Sequence, residues 1–380
     1  MRASIKIIFS ALLVTAFSFI AKGQSTTCPW VNAGPDVTIC APNCTTLTAT
    51  YLQSNTTSNY TISTIPYAPD PYTTGTAVVL ADDQWSAVIN LPFTFCYMGT
   101  AYTQCLIGSN GMISFSLTPA NGYCQWPIGA AVPSTSDPMN TIMTPWQDLQ
   151  PPVSGTIKYQ TYGTAPCRRW VVSWNGCAMY YCGTPATQQI CLYETTNIID
   201  NFLQSKPLCS TWNGGYAIQA LHNATGTVAY VVPGRNYPTQ WTATNDAKRY
   251  TPSGASTTAI TWLDGNNNVV GNTASINVCP TTTTTYTAQV VYTNCNNTTV
   301  SVTDQVVVNV SSLAVTMGPN ASICLGGNTP LSATATGATS WSWVPANNLS
   351  CTTCSNPTAS PTWKVTRVPI MTYQVKATRG

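Results

Sequence analysis

Charged residues make up only 7% of the 380 residues of this chain, whereas ordinary soluble domains contain about 25%. The net charge of +3 is spread thinly and forms no basic stripe, which argues against nucleic acid and anionic membrane surfaces as partners. A surface solvated mainly by hydroxyl and amide groups favours an extended or self-associating surface protein over a cytosolic enzyme. The length leaves room for roughly two to four domains.

Residues 1–23 have the pattern of a secretory signal peptide. Arg2 and Lys6 precede an apolar stretch from Ile7 to Ile20, and we expect cleavage before Gln24. This stretch is shorter than the roughly 20 apolar residues that a membrane-spanning helix needs, and no later stretch is predicted to span a bilayer. The sequence therefore predicts a secreted or cell-surface protein with no membrane insertion after cleavage.

An internal repeat identifies two related modules. The phrase GPDVTIC from Gly34 is followed after six residues by LTAT, and it recurs as GPNASIC from Gly318, followed after six residues by LSAT. The spacing is identical in the two copies. We therefore interpret them as the first two strands of two immunoglobulin-like modules.

The first of these modules is split by an insertion. No suitable strand continues it after Tyr51, but strands that fit appear more than 200 residues later. These are residues 259–262, 285–290 and 300–310. In the middle one the apolar residues alternate with polar ones from Tyr286 to Tyr292, which is typical of a sandwich strand with one face inward. An insertion into a surface loop is tolerated because the entropy of loop closure grows slowly with length.

The domain boundaries follow from this interpretation. They are 1–23 for the signal peptide, 24–52 for the first half of module 1, 53–252 for a larger inserted domain, 253–312 for the second half of module 1 and 313–380 for module 2. Leu47 and Ala49 should then share one core with Trp262 and Tyr286. Module 2 lacks its last strand, so we expect either a chain that continues past Gly380 or a strand supplied by another molecule.

The inserted domain is predicted to be a β meander. Its centre runs from Ile89 to Phe115, with turns at Gly99 and at Asn110-Gly111, because Asn and Gly tolerate the positive φ of tight hairpins. Further strands are predicted at 155–161, 169–174, 188–193 and 216–221. The fold class is therefore all-β, with immunoglobulin-like β-sandwich modules plus a larger inserted β-sandwich.

All 16 cysteines follow the expected cleavage point, and an even count in an exported chain predicts disulfides. Comparison of the two modules predicts a bridge from Cys40 to Cys295 across the first sandwich. The close pair Cys351 and Cys354 predicts a local disulfide, because no second cysteine or histidine pair is present to complete a zinc site.

Other cysteines are left without an assigned partner in the same chain. Cys324 is the counterpart of Cys40 in module 2, where no counterpart of Cys295 exists. Cys28 is the candidate that would reach Cys324 from another copy of the chain. The five cysteines from Cys167 to Cys209 are closely spaced and predict staples for long loops.

Several phrases of the inserted domain resemble the nidogen-type extracellular β domain. They are INLPFTF from Ile89, IGSNGMISF from Ile107, PWQDL from Pro145, RWVVSW from Arg169 and QQICLYE from Gln188. The AGPD-T-IC and TTTYTA phrases, with HNATGT from His222 and PGRN from Pro233, resemble the PKD-like or immunoglobulin-like modules of surface proteins that gliding bacteria export by the type IX route. The resemblance implies a β fold outside the cell and carries no catalytic motif.

The candidate metal ligands are Asp82, Asp83 and Asp148, which lie in loops at predicted strand ends. Asp is common at such positions because it caps turns with its own backbone hydrogen bonds. The functional alternative is a calcium site, which needs several oxygen ligands converging at about 2.4 Å. No other metal and no cofactor is predicted.

Catalytic groups are scarce. Glu194 is the only glutamate, and a glycosidase needs two carboxyl groups facing one bond. The only histidine, His222, has no evident serine or cysteine partner, and no G-x-S-x-G phrase is present. The sequence predicts no catalytic residue and no enzyme.

Aromatic residues are plentiful, with 12 tryptophans and 19 tyrosines. Most are expected in cores, but some lie in predicted loops, where aromatic rings bind sugars or proteins. The candidate contact residues are Trp126, Trp146, Trp212 and Trp241.

These observations predict a non-enzymatic secreted or cell-surface adhesin or structural protein. In it the inserted domain contacts surface proteins, glycans or other copies of the chain, and the immunoglobulin-like modules act as spacers. One alternative is an extracellular filament subunit, in which residues 24–32 of the next copy complete module 2 by strand addition. The other alternative, a secreted hydrolase, lacks the residues it would need.

Overall fold

The computed structural model of the protein describes residues 25–40, 42–311, 313–324, 326–362 and 371–378. Strands account for 48% of the structure and the described residues contain no α-helix, which confirms the predicted all-β fold. Their one helical element is a 3-10 turn at Asn213–Gly215. The predicted signal peptide, residues 1–23, lies outside the described residues.

The chain begins with four short strands. They are β1 (Val31–Asn32), β2 (Val37–Cys40), β3 (Thr45–Thr48) and β4 (Thr50–Tyr51). β1 pairs with β4, whereas β2 and β3 find their partners only beyond residue 250.

The inserted domain follows as fourteen strands. They are β5 (Tyr60–Thr64), β6 (Thr76–Val78), β7 (Ile89–Tyr97), β8 (Thr100–Gly108), β9 (Met112–Ser114), β10 (Thr141–Trp146), β11 (Leu149–Gln150), β12 (Thr156–Tyr162), β13 (Arg169–Met179), β14 (Pro185–Tyr193), β15 (Ile199–Lys206), β16 (Ile218–His222), β17 (Ala229–Val231) and β18 (Ala243–Pro252). The predicted hairpin turns at Gly99 and at Asn110-Gly111 lie between β7, β8 and β9.

These strands form two sheets packed face to face. One has the order β17-β16-β10-β9-β8-β7, and the other has the order β5-β18-β15-β14-β13-β12-β6, with β11 paired to β13. The core between them contains large rings such as Phe95, Trp170 and Trp174. A second core, with Met143 and Trp146, lies on the outer face of the six-stranded sheet. Burial on both faces explains why every residue of β10 is buried and why its sequence shows no alternation of polar and apolar residues.

The remaining strands of module 1 come after the inserted domain. They are β19 (Thr258–Leu263), β20 (Val269–Gly271), β21 (Ser275–Val278), β22 (Thr284–Thr293) and β23 (Thr299–Ser311). They form a five-stranded sheet of order β2-β23-β22-β19-β20 and a pair β21-β3. Leu47 and Ala49 lie in one core with Trp262 and Tyr286, which is the arrangement that a split module requires.

Module 2 is described over six short strands. They are β24 (Thr316–Met317), β25 (Thr329–Pro330), β26 (Ala333–Thr334), β27 (Ser340–Val344), β28 (Thr358–Ala359) and β29 (Gln374–Thr378). β27 pairs with β29, and Trp343 of β27 is buried and donates its indole N–H to the carbonyl of Cys354.

Ten of the 16 cysteines form five disulfides. They are Cys28–Cys167, Cys44–Cys279, Cys96–Cys295, Cys182–Cys209 and Cys351–Cys354. The last is the local pair named from the sequence. Cys40, Cys105, Cys124, Cys177, Cys191 and Cys324 are free. Cys177 and Cys191 are therefore not loop staples, because they lie within β13 and β14 and fill cores on opposite faces of the eight-stranded sheet.

The predicted Cys40–Cys295 bridge is wrong. β2 runs parallel to β23, and this register places Cys40 beside Ser311 at the end of that strand. Cys295 precedes the start of β23 at Thr299. The two ends of this 13-residue strand are twelve steps of about 3.3 Å apart, so a disulfide cannot form. Cys295 instead bonds Cys96 of the inserted domain.

The expectation of an unpaired or intermolecular Cys28 is also wrong. Cys28 bonds Cys167 of the inserted domain in the same chain, and β1 is occupied by pairing with β4. The N-terminal segment thus lies against its own molecule, which removes it as the strand donor of the filament hypothesis. Cys324 is free and exposed.

Candidate functional site

Three carboxylates converge at one end of the inserted domain. Asp82 and Asp83 lie in the loop after β6, and Asp148 lies between β10 and β11. One ligand oxygen from each falls within 4.8 Å of the others. We refer to Asp82, Asp83 and Asp148 as the carboxylate site. The sequence named all three residues, and the structure brings them together.

Each carboxylate is held by a side-chain N–H donor. Gln150 donates to Oδ2 of Asp82 at 3.1 Å, and Asn110 donates to Oδ1 of Asp83 at 2.9 Å. The indole of Trp212 donates to Oδ2 of Asp148 at 2.7 Å. These contacts engage one oxygen of each carboxylate.

The Asn110-Gly111 turn connects this site to the sheet. Asn110 is fully buried, and its amide donates to the carbonyl of Cys124 as well as to Asp83. Its oxygen accepts the backbone N–H of Leu149, the residue after Asp148. The Asn110-Gly111 turn therefore holds both loops that carry the carboxylates in place. The sequence predicted this turn only as part of a hairpin.

The carboxylate site lacks a balancing positive charge. Most acidic residues elsewhere in the inserted domain are ion-paired: Asp70 with Arg169, Glu194 with Arg168, Asp200 with Arg249, and Asp246 with Arg235 and Lys248. No such pair reaches the carboxylate site among the described residues. Oδ1 of Asp82 and Oδ1 of Asp148 are buried and accept no hydrogen bond from those residues.

The electrostatic consequence is a set of raised acid pKa values. Burial raises the pKa of Asp148 to about 7, and the neighbouring charges of Asp83 and Asp82 add to the increase. Burial also raises the pKa values of Asp82 and Asp83. The site therefore favours a bound proton or cation over three free carboxylates.

An aromatic patch surrounds the carboxylate site. The ring of Trp212 lies 4.7 Å from Tyr180, 5.4 Å from Trp126 and 5.7 Å from Tyr181 between centroids. Tyr123 belongs to the same surface, because its phenol lies close enough to Asp83 and Asp148 to feel their charges. Partial burial is the largest cause of its raised pKa, and these two charges raise that pKa further. We define the aromatic patch as Tyr123, Trp126, Tyr180, Tyr181 and Trp212.

The patch is open to solvent. Tyr181 is 73% exposed and Tyr123 is 58% exposed, and no other tyrosine or tryptophan is as exposed in the described part of the chain. Tyr181 lies in the turn between β13 and β14, and Trp212 in the loop between β15 and β16. The Cys182–Cys209 disulfide joins these two loops, so the rings are held together by a covalent bond rather than by loop packing alone.

The structure separates the four tryptophans named from the sequence. Trp126 and Trp212 lie in the patch, whereas Trp146 is fully buried and donates to the carbonyl of Gln125, so its assignment as a contact residue is wrong. Trp241 is a structural residue, because Lys206 and Arg235 lie over its ring at 4.8 and 4.6 Å.

His222 has a structural position. It is fully buried, Nδ1 lies 2.9 Å from the carbonyl of Pro138, and Nε2 accepts the backbone N–H of Ser134. These contacts fix the tautomer with the proton on Nδ1 and leave no ring nitrogen for proton transfer.

A larger cavity of about 420 Å³ lies between the inserted domain and module 1. Its lining contains Asn, Thr, Ser, Ala and the Cys96–Cys295 disulfide, with no ionisable side chain. A small cavity of about 10 Å³ lies under the aromatic patch, lined by Asp148, Trp212 and Gln147 among others but not by Asp82 or Asp83. We therefore regard the carboxylate site and the aromatic patch as the candidate functional site.

Sequence reasoning missed Tyr123, Tyr180 and Tyr181. The signal that could have found two of them is the Tyr180-Tyr181-Cys182-Gly183 run, where two adjacent rings precede a cysteine and a turn glycine. Tyr123 directly precedes a cysteine in the loop that carries Trp126. Nothing in the sequence shows that these loops meet.

No helix among the described residues has the length and apolar content to cross a bilayer. A search of curated proteins gives no match for the chain. The family model described as NIDO related matches residues 59–264, which is more than half of the sequence. This span contains the inserted domain from β5 to β18, both halves of the candidate site, and the first strand of module 1 that follows. The chain therefore belongs to the NIDO-related family.

Proposed function

We propose that the protein is a non-enzymatic extracellular adhesion protein whose aromatic patch binds a glycan, with the immunoglobulin-like modules as spacers. The family and the five disulfides fit an extracellular protein. Aromatic side chains bring large contact area together with a polar tip, which suits the apolar face and hydroxyl groups of a sugar ring. Export by the type IX route of gliding bacteria stays a prediction from the sequence.

The position of the patch is the observation that carries this proposal. Asn197, just after β14, contacts Asn294 of module 1 at 3.1 Å. Tyr180 and Tyr181 lie just before the same strand, which is nine residues long. At about 3.3 Å per residue, β14 places the patch about 30 Å from the contact with module 1. The patch is therefore at the end of the inserted domain that faces away from its spacer.

Binding of the full-length mature chain to a glycan array tests this proposal. Since a few aromatic residues usually dominate a binding surface, the Tyr123→Ala/Tyr181→Ala variant should bind at least about tenfold more weakly than the wild type. Val269→Ala removes an exposed side chain of module 1 and should bind normally. An array without signal, or equal binding by the double variant, would contradict the proposal.

The same preparation separates the alternative functions. Incubation with polysaccharide and peptide substrates should release no product, and turnover at a rate that depends on Asp148 would instead favour a hydrolase. Light scattering should give a monomer, because Cys28 and β1 are engaged within their own chain. A polymer that dissociates on reduction would favour the filament.

A further inference from the structure

We propose that Asp82, Asp83 and Asp148 bind a calcium ion that orders the aromatic patch. This inference deepens the proposed function, since it names the cofactor of the same surface. The ion-binding step stands on the carboxylate geometry alone, and only its consequence for glycan binding rests on the proposed function.

The ligand geometry fits calcium. All three side chains offer carboxylate oxygens, which hard cations prefer. Two oxygens on opposite sides of one Ca²⁺ lie about 4.6 to 5.2 Å apart, because each Ca–O distance is about 2.3 to 2.6 Å. The ligand oxygens lie within 4.8 Å of one another, so one ion can contact all three.

Two buried oxygens point independently to a ligand. Asp148 is only 7% exposed, and its Oδ1 has no hydrogen-bond partner among the described residues; the same is true of Oδ1 of Asp82. Leaving a buried carboxylate oxygen unpaired costs more than leaving a neutral acceptor unpaired.

The remaining oxygens are fixed by donors that resemble the outer contacts of a metal site. Gln150, Asn110 and Trp212 each donate to one carboxylate oxygen, and such contacts orient ligating carboxylates. Asn110 is itself fully buried and bonded on both sides of its amide. The ligands are therefore held in place before an ion arrives.

Turn chemistry accounts for the backbone at this site but not for these side-chain oxygens. Asp83 has a positive φ of 52°, a conformation that Asp tolerates in turns. The carbonyl of Asp83 accepts the N–H of Cys124, and that of Asp148 accepts the N–H of Tyr180. An aspartate that only caps a turn uses its carboxylate on local N–H groups, whereas here two oxygens remain without one.

The ion would act on the patch through Asp148. The indole N–H of Trp212 bonds the second oxygen of that carboxylate, and Trp212 contacts three other rings of the patch. Calcium accepts about six to eight oxygens, and three carboxylates supply at most about six. Asp82 and Asp83 are only partly buried, so open positions face solvent, where water or sugar hydroxyls can complete the shell.

Titration of the EDTA-stripped mature chain with CaCl₂ tests the ion directly, by calorimetry and by thermal unfolding. We expect one site with a Kd of about 10⁻⁴ to 10⁻³ M, the range of extracellular modules, and a higher Tm with calcium. Asp148→Asn should weaken binding at least about tenfold and abolish the Tm shift. Asp264→Asn makes the same charge change in module 1, at an exposed turn that Asn can also cap, and should bind as the wild type does.

The unfolding temperature of Asp148→Asn also shows whether this variant is folded. Without calcium, Asp148→Asn should unfold at a higher temperature than the wild type, because it removes a buried charge. A wild type that shows neither heat nor a Tm shift at several millimolar calcium would overturn the proposal, as would equal calcium binding by Asp148→Asn. Glycan binding that survives in EDTA would remove the link to the patch and leave the proposed adhesion function standing.

Discussion

Asp148 should make the stability of the calcium-free protein fall as pH rises. Burial raises its pKa in the folded state to about 7, whereas an unfolded aspartate has a pKa of about 3.9. Below about pH 4 both states are protonated. Between about pH 4 and pH 7 the folded state keeps a proton that the unfolded state releases, so rising pH removes stability and the loss is complete above about pH 7.

Denaturant unfolding at pH 5 and pH 8 in EDTA measures this effect. Other groups titrate over the same range, so the informative quantity is the difference between wild type and Asp148→Asn. The variant should gain stability over the wild type as pH rises from 5 to 8. A constant difference would show that the carboxyl group is ionised throughout.

The free cysteines give a second prediction at the level of single residues. Burial raises the pKa of Cys124 and of Cys177 to about 12, and it raises those of Cys105 and Cys191 as well. Such thiols are inert in the native protein. A thiol reagent should modify two cysteines, Cys40 and Cys324, in the native protein and all six in denaturant. Fewer than six would mean a disulfide beyond the five described.

The three carboxylates of the site could be predicted from the sequence, whereas the tyrosines around them could not. Asp82, Asp83 and Asp148 attract notice because acidic residues are rare in this chain, and their convergence is the part that the structure adds. The tyrosines of the patch escape notice because 19 tyrosines are present, and exposure depends on which loops meet. Trp146 shows the same limit, since a tryptophan predicted to lie in a loop proves to be a buried strand residue.

At the level of elements, Gly111 should be the glycine of the predicted hairpins that tolerates substitution least. It has a φ of +77°, and a Cβ atom there would collide with the carbonyl oxygen of Pro145 and the amide of Gln188. Gly99 has a similar φ of +84° but no atom within 4 Å of its Cβ position. We expect Gly99→Ala to cost about 1 kcal/mol in unfolding free energy and Gly111→Ala about 3 kcal/mol.

Urea denaturation of the two variants isolates the collision, because the backbone strain is nearly the same in both. Gly111→Ala should also weaken calcium binding, since Asn110 holds Asp83 and Leu149. Equal destabilisation by the two variants would mean that the loops of Pro145 and Gln188 move aside easily.

Strands with one buried face were predictable from alternation. Tyr286, Ala288, Val290 and Tyr292 point inward along β22 as the pattern indicates. β10 was missed as a strand because both of its faces are buried and its residues do not alternate. The pairing of β2 with β23 could not be predicted from a local sequence pattern either. Their parallel pairing depends on how distant strands of module 1 assemble into one sheet.

At the level of the whole molecule, the inserted domain and module 1 are held together by more than the two chain segments that connect them. Cys96 at the end of β7 bonds Cys295 in the turn between β22 and β23. Beside it, Asn197 accepts the backbone N–H of Cys96 at 2.8 Å and donates to Asn294. The repeat in the sequence predicts that module 1 is split, but it could not predict this contact, because module 2 has no insertion to compare.

The Cys96→Ser/Cys295→Ser variant should weaken the coupling of the two units, although the Cys28–Cys167 disulfide still joins the N-terminal segment to the inserted domain. This disulfide closes a loop with a sequence separation of 199 residues, and a bridge of that kind typically contributes about 2 to 5 kcal/mol. Calorimetry should resolve one unfolding transition of these units in the wild type into two in the variant, and limited proteolysis should cut near residues 52–59 or 252–258. Cys351→Ser/Cys354→Ser removes a bridge between residues only three apart and should alter module 2 alone. An unchanged single transition in the first variant would show that the Cys28–Cys167 disulfide and the polar contacts of Asn197 suffice to hold the inserted domain against module 1.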